Sequence, residues 1–360
     1  MIVDDFLPKE STAPLGSGHL TYKAPSNIAL VKYWGKRPHQ LPANPSVSLT
    51  LSHCATTTTV SYDGQGGTAN GVSFDLFFEG GPKPSFRPKI ETFFSRIAAY
   101  VPFLRGAHLK IETSNSFPHS SGIASSASGM AALALCLVEM ERRMWPKMSQ
   151  AHFEQKASFL ARLGSGSACR SIAGSLVHWG LHAETQGSSD LYGISYPYPV
   201  HPVFTTYQDT ILLVDKGQKQ VSSTLGHDLM HGHPFAAQRF AQAHDNLNGL
   251  RPIFGKGNLE AFVKIVESEA LTLHAMMMSS SPYFVLMKPN TLSIIERVWD
   301  FRERTGSPIC FTLDAGANVH LLYPEDEKER VLPFIERELA PFCEKGQYIC
   351  DRVGSGAQKM

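Results

Sequence analysis

The sequence lacks the features that are typical of membrane, secreted and nucleic-acid-binding proteins. No apolar run approaches the roughly 18 residues of a membrane-spanning helix. The first residues, MIVDDFLPKE, carry acidic side chains and no apolar stretch, so we expect no secretory signal peptide. The six cysteines are scattered and include no C-x-x-C pair, which favours a cytoplasmic protein with reduced thiols.

An excess of charge of one sign is also missing. The chain has 33 basic and 32 acidic residues, for a net charge of +1, and so lacks the basic excess of a nucleic-acid-binding surface. We therefore expect a small-molecule partner, with no nucleic acid and no membrane. The 360 residues, 42% of them hydrophobic, are enough for two domains, or one large two-lobed domain, with proper cores.

The hydrophobic pattern predicts a mixture of strands and helices. Strands are predicted at residues 47–52, 55–62, 72–80 and 109–115, with a strand pair in 308–324. Helices are predicted within 87–101 and at 129–144, 150–163, 233–250, 257–278 and 326–340. This mixture indicates an α+β protein. The segment 184–202 is rich in Gly, Ser, Pro and Tyr, so we place a boundary there, between lobes of residues 1–200 and 201–360.

A run of small residues, FPHSSGIASSASG (117–129), leads directly into the apolar stretch MAALALCLVEM. The N-terminus of a helix leaves backbone N–H groups unpaired and carries a partial positive charge. Glycine and serine allow an anion to approach those groups, and phosphate is the usual guest. The run is neither a Walker A nor a Rossmann motif. Composition alone therefore leaves a phosphate loop and a serine-capped turn equally open.

Three further segments carry candidate site residues. The segment APSNIALVKYWGKRPHQ (24–40) places Lys32, Lys36 and Arg37 beside Tyr33 and Trp34, which suits either a diphosphate recess or a solvated strand end. The segment GSGSACRS (164–171) places small residues before an apparent helix, CRSIAGSLVHW, whose first turn would contain an arginine. An anion bound there would remove the conflict between that arginine and the helix dipole.

The third segment, CFTLDAGANVHLLYP (310–324), has an aspartate where an apolar strand turns through Ala-Gly. Taken alone, such an aspartate is more often a turn former than a catalytic group. The four segments together resemble, in the same order, the motifs of the mevalonate diphosphate decarboxylases, which use the fold of the GHMP kinases. The resemblance covers most of residues 20–325. Ala124 in particular resembles the decarboxylases, because the kinases usually have glycine at that position.

This resemblance implies an α+β, two-lobed GHMP-kinase-like fold with the active site in the cleft between the lobes. The implied activity is ATP-dependent decarboxylation of mevalonate 5-diphosphate to isopentenyl diphosphate, with ATP and Mg²⁺ as cofactors and a homodimer as a common assembly. The resemblance assigns catalysis to Asp314 and Lys32. It assigns substrate binding to Tyr33, Trp34, Gly35, Lys36, Ser165, Gly166, Ser167, Ala168, Cys169 and Arg170, and by looser matches to Lys89, Ser223 and Thr224. It assigns ATP binding to Ser116, Ser121, Gly122, Ala124, Ser125, Ser126 and Ser128, with Ser126 also a metal ligand.

Several positions depart from the family pattern, among them Pro38, Ala317 and His227. The number of phosphates on the substrate therefore stays open, and the alternatives are a decarboxylase of 5-phosphomevalonate or a kinase of the mevalonate 3-hydroxyl. A non-catalytic ligand sensor is a further alternative. The histidines of HDLMHGHP (His227, His231, His233) lack an accompanying carboxylate pattern, so a metal site there is not favoured. The three methionines at 276–278 are expected in the core or in a subunit interface.

Overall fold

Two large sheets with helices packed on them, and a small sheet of two strands, β2 and β3, make up the protein. It is seen here in a computed structural model that describes residues 3–8, 14–67, 71–118, 123–217 and 223–360, except for the side chains of residues 223 and 224. The strands are β1 (Ser17–Val31), β2 (Lys36–Arg37), β3 (Leu41–Pro42), β4 (Ser46–Asp63), β5 (Ser73–Phe78), β6 (Gly81–Pro82), β7 (His108–Asn115), β8 (Leu176–Trp179), β9 (Gly193–Ser195), β10 (Gln208–Leu212), β11 (Cys310–Leu313), β12 (Val319–Tyr323), β13 (Tyr348–Arg352) and β14 (Gln358–Lys359). The helices are α1 (Arg87–Ile97), α2 (Ser125–Met144), α3 (Gln150–Gly164), α4 (Ser223–Asp228), α5 (Ala236–Lys256), α6 (Leu259–Met278), α7 (Pro289–Thr305) and α8 (Lys328–Phe334).

The first sheet has the strand order β14-β1-β4-β7-β5-β6, and β8 pairs with β4 and β9. The second sheet has the order β11-β12-β10-β13. All pairings are antiparallel except the parallel pair β5–β7. Helices and mainly antiparallel strands are thus combined in one chain, and the predicted α+β class is confirmed.

Most of the predicted elements are confirmed, with one difference in the first sheet. The predicted strands 47–52 and 55–62 form a single extended strand, β4. Between them, the backbone N–H groups of Ser52, His53 and Cys54 donate to the buried Asp351 carboxylate. The chain stays extended there because a side chain satisfies these N–H groups in place of a neighbouring strand.

The prediction of a helix in CRSIAGSLVHW is wrong. A 3₁₀ turn covers Gly166–Ser171, and the chain then enters β8. Gly174, with φ of +86°, occupies the left-handed region that ends helices. The residues after it, Leu-Val-His-Trp, pair with β4 and are buried. Arg170 therefore does not lie in the first turn of a regular helix, and the expected conflict with a helix dipole does not arise there.

The C-terminal segment links the two sheets. β13 pairs with β10 in the second sheet, whereas β14 pairs with Tyr22 and Lys23 of β1 in the first. One apolar cluster also combines residues of β1 and β4 with residues of α5 and α6. The division into lobes 1–200 and 201–360 stays a prediction. Among the described residues, no helix is both long and apolar enough to span a bilayer.

Candidate active site

The end of β1 and the turn after β11 bring Lys32 and Asp314 together. Lys32 Nζ lies 3.1 Å from Asp314 Oδ1, although the residues are 282 positions apart in the sequence. The Lys32 side chain is 2% exposed and that of Asp314 is 32% exposed, so the ammonium is enclosed while the carboxylate is partly open to solvent. The Asp314 carbonyl oxygen accepts a hydrogen bond from Nε2 of His274 on α6 at 3.2 Å.

Burial and charge act on Lys32 in opposite directions. Burial lowers the pKa of Lys32, and Arg170 lowers it further, whereas Asp314 and Glu269 oppose that change. Burial also lowers the pKa of His274 to about 4, so this imidazole stays neutral and donates through Nε2. The result is an enclosed amine whose charge depends on two nearby carboxylates.

Two residues that the sequence motifs do not contain hold the main chain of Lys32. The Lys32 N–H donates to Oε2 of Glu269 at 2.8 Å, and its carbonyl oxygen accepts from Nη2 of Arg239 at 3.0 Å. Asn44 Nδ2 donates to the same carbonyl at 2.9 Å. Arg239 and Glu269 lie on α5 and α6, outside all four motif segments. Their helical spacing looks like that of core residues, so no signal in the sequence identified them.

Arg170 is a buried cation beside this pair. Its Nη1 donates to Ser46 Oγ at 2.5 Å and its Nε to Asn27 Oδ1 at 3.3 Å. Within the described parts of the chain, no carboxylate forms an ion pair with this guanidinium. Burial lowers the pKa of Arg170, and Asp314 acts in the opposite direction. A buried arginine that lacks an anionic partner is well suited to bind a carboxylate or phosphate.

Tyr33 and Gly166 shape the recess next to Arg170. The Tyr33 hydroxyl is buried and has no hydrogen-bond partner among the described residues. A Cβ on Gly166 would lie 2.8 Å from that hydroxyl, so a larger residue would displace the ring. Ala168 and Cys169 pack inside, and burial raises the pKa of the Cys169 thiol to about 12. This supports the interpretation of Cys169 as a packing residue and not a nucleophile.

His227 lies between the rings of Tyr33 and Trp34, with ring centroids at 4.2 and 4.7 Å. The Gly35 N–H donates to its Nδ1 at 3.0 Å. That nitrogen must therefore be unprotonated. Burial, with the charges of Lys36 and Arg170, holds the pKa of His227 well below its usual range.

Trp34 itself packs against Met230, Met276 and Met277, which confirms a core position for two of the three consecutive methionines. The third, Met278, is 49% exposed. His233 Nε2 donates to the Met276 carbonyl oxygen at 3.0 Å. Within the described residues, no group of three or more His, Cys, Asp or Glu side chains is arranged to hold a metal ion.

Two lysines add positive charge at the cleft. Burial lowers the pKa of Lys36, and Arg96 lowers it further, against the effect of Asp228. The pKa of Lys89 is lowered to about 8 by the surrounding protein and by Lys36, even though much of the Lys89 side chain is open to solvent. The charge of Lys36 thus acts on Lys89, and two such cations suit an anion with several charges.

The small-residue run 117–129 begins α2, as predicted for a loop at a helix N-terminus. Ala124 has φ of +42°, and α2 starts at Ser125. Ser126 Oγ lies 3.4 Å from Ser165 Oγ, which brings this run next to the segment 164–171. Ser121 and Gly122 lie outside the described residues, as do the side chains of Ser223 and Thr224, whose backbone begins α4.

Other serines of this region have partners within the protein. Ser128 Oγ is fully buried, 2.6 Å from Thr56 Oγ1. Ser116 Oγ donates to the carbonyl oxygen of His53 at 2.5 Å and accepts from the Ala55 N–H at 2.9 Å. Ser125 and Ser126 instead line a mostly apolar cavity of about 170 Å³ whose walls include Phe78, Phe86, Lys89 and Met130.

Several known proteins are similar to this chain in sequence and in fold. Two family models match the chain: "Diphosphomevalonate decarboxylase-like N-terminal domain" at residues 24–190 and "Mevalonate 5-diphosphate decarboxylase C-terminal domain" at residues 210–356. A diphosphomevalonate decarboxylase of Aspergillus fumigatus is 29% identical over 343 residues, which cover 89% of this chain and 80% of the relative. The solved mevalonate diphosphate decarboxylase of Staphylococcus aureus is similar with a TM-score of 0.80 at 26% identity, covering 96% of this chain and 98% of the other. Another solved neighbour, 28% identical with a TM-score of 0.78 and coverage of 95% and 99%, is a complex with MVAPP, AMPPCP and magnesium.

Proposed function

This chain belongs to the mevalonate diphosphate decarboxylase family, and from that membership we infer that it decarboxylates mevalonate 5-diphosphate in an ATP-dependent reaction. The products are isopentenyl diphosphate, ADP, phosphate and CO₂. The observation that carries this inference is the 3.1 Å contact between Lys32 and Asp314 near the buried guanidinium of Arg170, which forms no ion pair among the described residues. The chain combines an enclosed acid–base pair with an anion-binding cation in one cleft.

Asp314 is the group that accepts the proton of the substrate 3-hydroxyl. Its carboxylate is partly exposed in the cleft, and its neighbour Lys32 favours the ionised form. The 3-oxygen then takes the γ-phosphoryl group of ATP, which converts a poor leaving group into phosphate. Phosphate departs with the electron pair of the C3–O bond. The electrons of the bond to the carboxylate form the new double bond, and CO₂ is released.

Arg170 holds the substrate carboxylate or diphosphate. Further contacts come from Lys36, from the partly exposed Ser165 and Ser167, and from the Tyr33 hydroxyl, which has no hydrogen-bond partner among the described residues. Lys89 adds a charge toward the phosphates. Trp34 and Gly35 act by shaping the recess, because Trp34 packs in an apolar cluster and Gly35 bonds to His227.

The small-residue run and the adjoining cavity are suited to ATP. Backbone N–H groups at the start of α2, with Ser125 and Ser126, are positioned for phosphates, and the walls formed by Phe78 and Phe86 are suited to the base. Mg²⁺ is expected with ATP, since a solved neighbour binds AMPPCP with magnesium. The described residues offer no carboxylate cluster, so Ser126 and the phosphate oxygens would hold the ion. When bound, Mg²⁺ neutralises phosphate charge.

The remaining expectations concern the whole chain. We propose that residues 1–200 form the ATP-binding lobe and residues 201–360 the second lobe. A cytoplasmic location and a homodimer stay predictions.

The first test is an assay of the pure protein with ATP, Mg²⁺ and each of three acids: mevalonate 5-diphosphate, 5-phosphomevalonate and mevalonate. Equal amounts of ADP and CO₂ from the diphosphate alone are expected. ADP without CO₂ would identify a kinase, CO₂ from the monophosphate would change the substrate, and no product from any acid would favour a sensor.

The second test removes the proposed base. Asp314→Asn is expected to lower kcat by several orders of magnitude, because an amide cannot take the hydroxyl proton. ATP binding, followed by calorimetry, should stay within a few fold of the wild type. Near-normal turnover in this variant would contradict the mechanism.

A further inference from the structure

The most unusual feature near the cleft is the ion pair of Arg239 and Glu269. Both side chains are fully buried, and Nη2 and Nη1 of the arginine lie 2.5 and 3.0 Å from the two carboxylate oxygens. Asn246 Nδ2 donates to Glu269 Oε1 at 2.6 Å. The same two side chains bond to the main-chain N–H and carbonyl of Lys32. One buried pair on two helices therefore holds, from both sides, the backbone of Lys32, which follows the last residue of β1.

Stability alone is a weak reason for such a pair. Removing two charges from water costs several kcal/mol per ion, and apolar replacements are often neutral or stabilising. Nε of Arg239 also has no partner among the described residues, so the network is not completely satisfied. The pair does, however, fix the main chain next to the enclosed ammonium that contacts Asp314.

The charges around Lys32 show what Glu269 contributes. The groups that face Lys32 are Asp314 after β11, Arg170 in the 3₁₀ turn, and Glu269 and the neutral His274 on α6, with Arg239 of α5 behind Glu269. Of these, only Asp314 and Glu269 favour the charged amine. Asp314 loses that influence at the moment it takes a proton from the substrate. Glu269 is fully buried and paired with Arg239, so it does not take the proton of the substrate.

We propose that Glu269, supported by Arg239 and Asn246, is a positioning residue of the reaction. It fixes the main chain of Lys32 by a hydrogen bond and supplies the negative charge beside the Lys32 ammonium that persists while Asp314 is protonated. This inference rests on the proposed function. It assigns a role to helices α5 and α6 that the motif residues do not suggest.

The main test compares Glu269→Gln with Glu269→Asp. Glutamine keeps an acceptor for the Lys32 N–H and removes the charge, so kcat should fall at least tenfold while KM for both substrates stays within threefold. The basic limb of the kcat profile should move at least half a pH unit lower, because Lys32 loses its proton more easily. Aspartate keeps the charge but retracts the acceptor, so kcat should fall with the basic limb unmoved.

Glu141→Gln is the matched control. Glu141 of α2 is also buried against a buried lysine, with Nζ of Lys156 on α3 at 2.6 Å, but neither helix contacts the main chain of Lys32 through this pair. Its variant should lose stability and keep the pH profile of the wild type. If Glu269→Gln behaves in the same way, with lower stability and an unchanged profile, the pair is structural and the inference is wrong.

Two further measurements keep the inference testable. If Glu269→Gln does not fold, Asn246→Ser, which removes one donor to Glu269 and leaves the ion pair, should lower kcat about threefold or more with KM unchanged; unchanged kcat would overturn the inference. If the wild type makes no CO₂, the proposed function is wrong, and this result leaves the role of Glu269 untouched. NMR titration of the Lys32 amine in ¹⁵N-lysine protein then decides, since Glu269→Gln must lower its pKa and Glu141→Gln must not.

Discussion

Gly166 and Tyr33 determine together how wide the recess beside Arg170 is. The Cβ of an alanine at 166 would lie 2.8 Å from the Tyr33 hydroxyl and 3.1 Å from two ring carbons. Gly166→Ala is therefore expected to raise KM for the diphosphate at least tenfold and to destabilise the fold by about 1–3 kcal/mol. Steady-state kinetics and urea denaturation measure both. Gly255→Ala, where a Cβ meets nothing within 4 Å inside α5, is the control and should be neutral or slightly stabilising.

His227 acts at the same scale through its acceptor nitrogen. His227→Phe keeps a ring between Tyr33 and Trp34 but leaves the buried Gly35 N–H without its partner, which costs about 1–3 kcal/mol. We expect a rise of at least tenfold in KM for the diphosphate. His227→Gln can accept the same hydrogen bond and should lose much less. An equal rise in KM in the two variants would show that ring stacking, and not the hydrogen bond to Gly35, positions the segment of Tyr33, Trp34 and Gly35.

At the scale of elements, the start of α2 contains a local conflict. Ala124 has φ of +42° and ψ of +35°, a region that glycine occupies without penalty. Ala124→Gly should therefore raise the free energy of unfolding by about 0.5–1 kcal/mol, as measured by urea denaturation. A decrease in the free energy of unfolding would mean that the packing of the alanine methyl group matters more than the backbone angle. That group packs against the apolar cluster formed by the first sheet with α1, α2 and α3.

Elements with strong periodicity could be predicted from the sequence, and weak ones could not. The helices α1, α2, α3, α5 and α6 have the expected positions because their apolar residues recur at helical spacing, and the pair β11–β12 was recognised as two short apolar runs on either side of a turn. The segment after Arg170 was taken for a helix because its short, fully buried strand shows no alternation. Helix α7 was not predicted, and neither was the role of Arg239 and Glu269. Their contact with Lys32 exists only once two helices and a sheet are packed together.

At the scale of the whole molecule, buried neutral histidines connect stability to pH. Burial lowers the pKa of His178 and of His274 to about 4, whereas the unfolded chain titrates near 6.5. Between these values the unfolded state binds protons that the folded state does not. Stability from this source is fully present above pH 6.5 and is lost as the pH falls toward 4, at about 1.4 kcal/mol per pH unit for each histidine.

Urea denaturation at pH 7.5, 6.0 and 5.0 measures this slope. His178→Gln removes one of these histidine titrations and should make the slope shallower. His39→Gln, at an exposed position, is the control and should leave it unchanged. A slope that is the same in all three proteins would mean that other groups control the acid stability.

The pairing of β14 with β1 has a consequence for folding during synthesis. A ribosome completes β1 long before it reaches residues 358 and 359, so the β1 edge must wait without its partner while all of the intervening chain is made. An unpaired strand edge of this kind can associate with other chains, and we expect chaperones to bind it until β14 has been made. Variants in the last strand should therefore first be noticed as poor yields of folded protein in cells, before any change in catalysis.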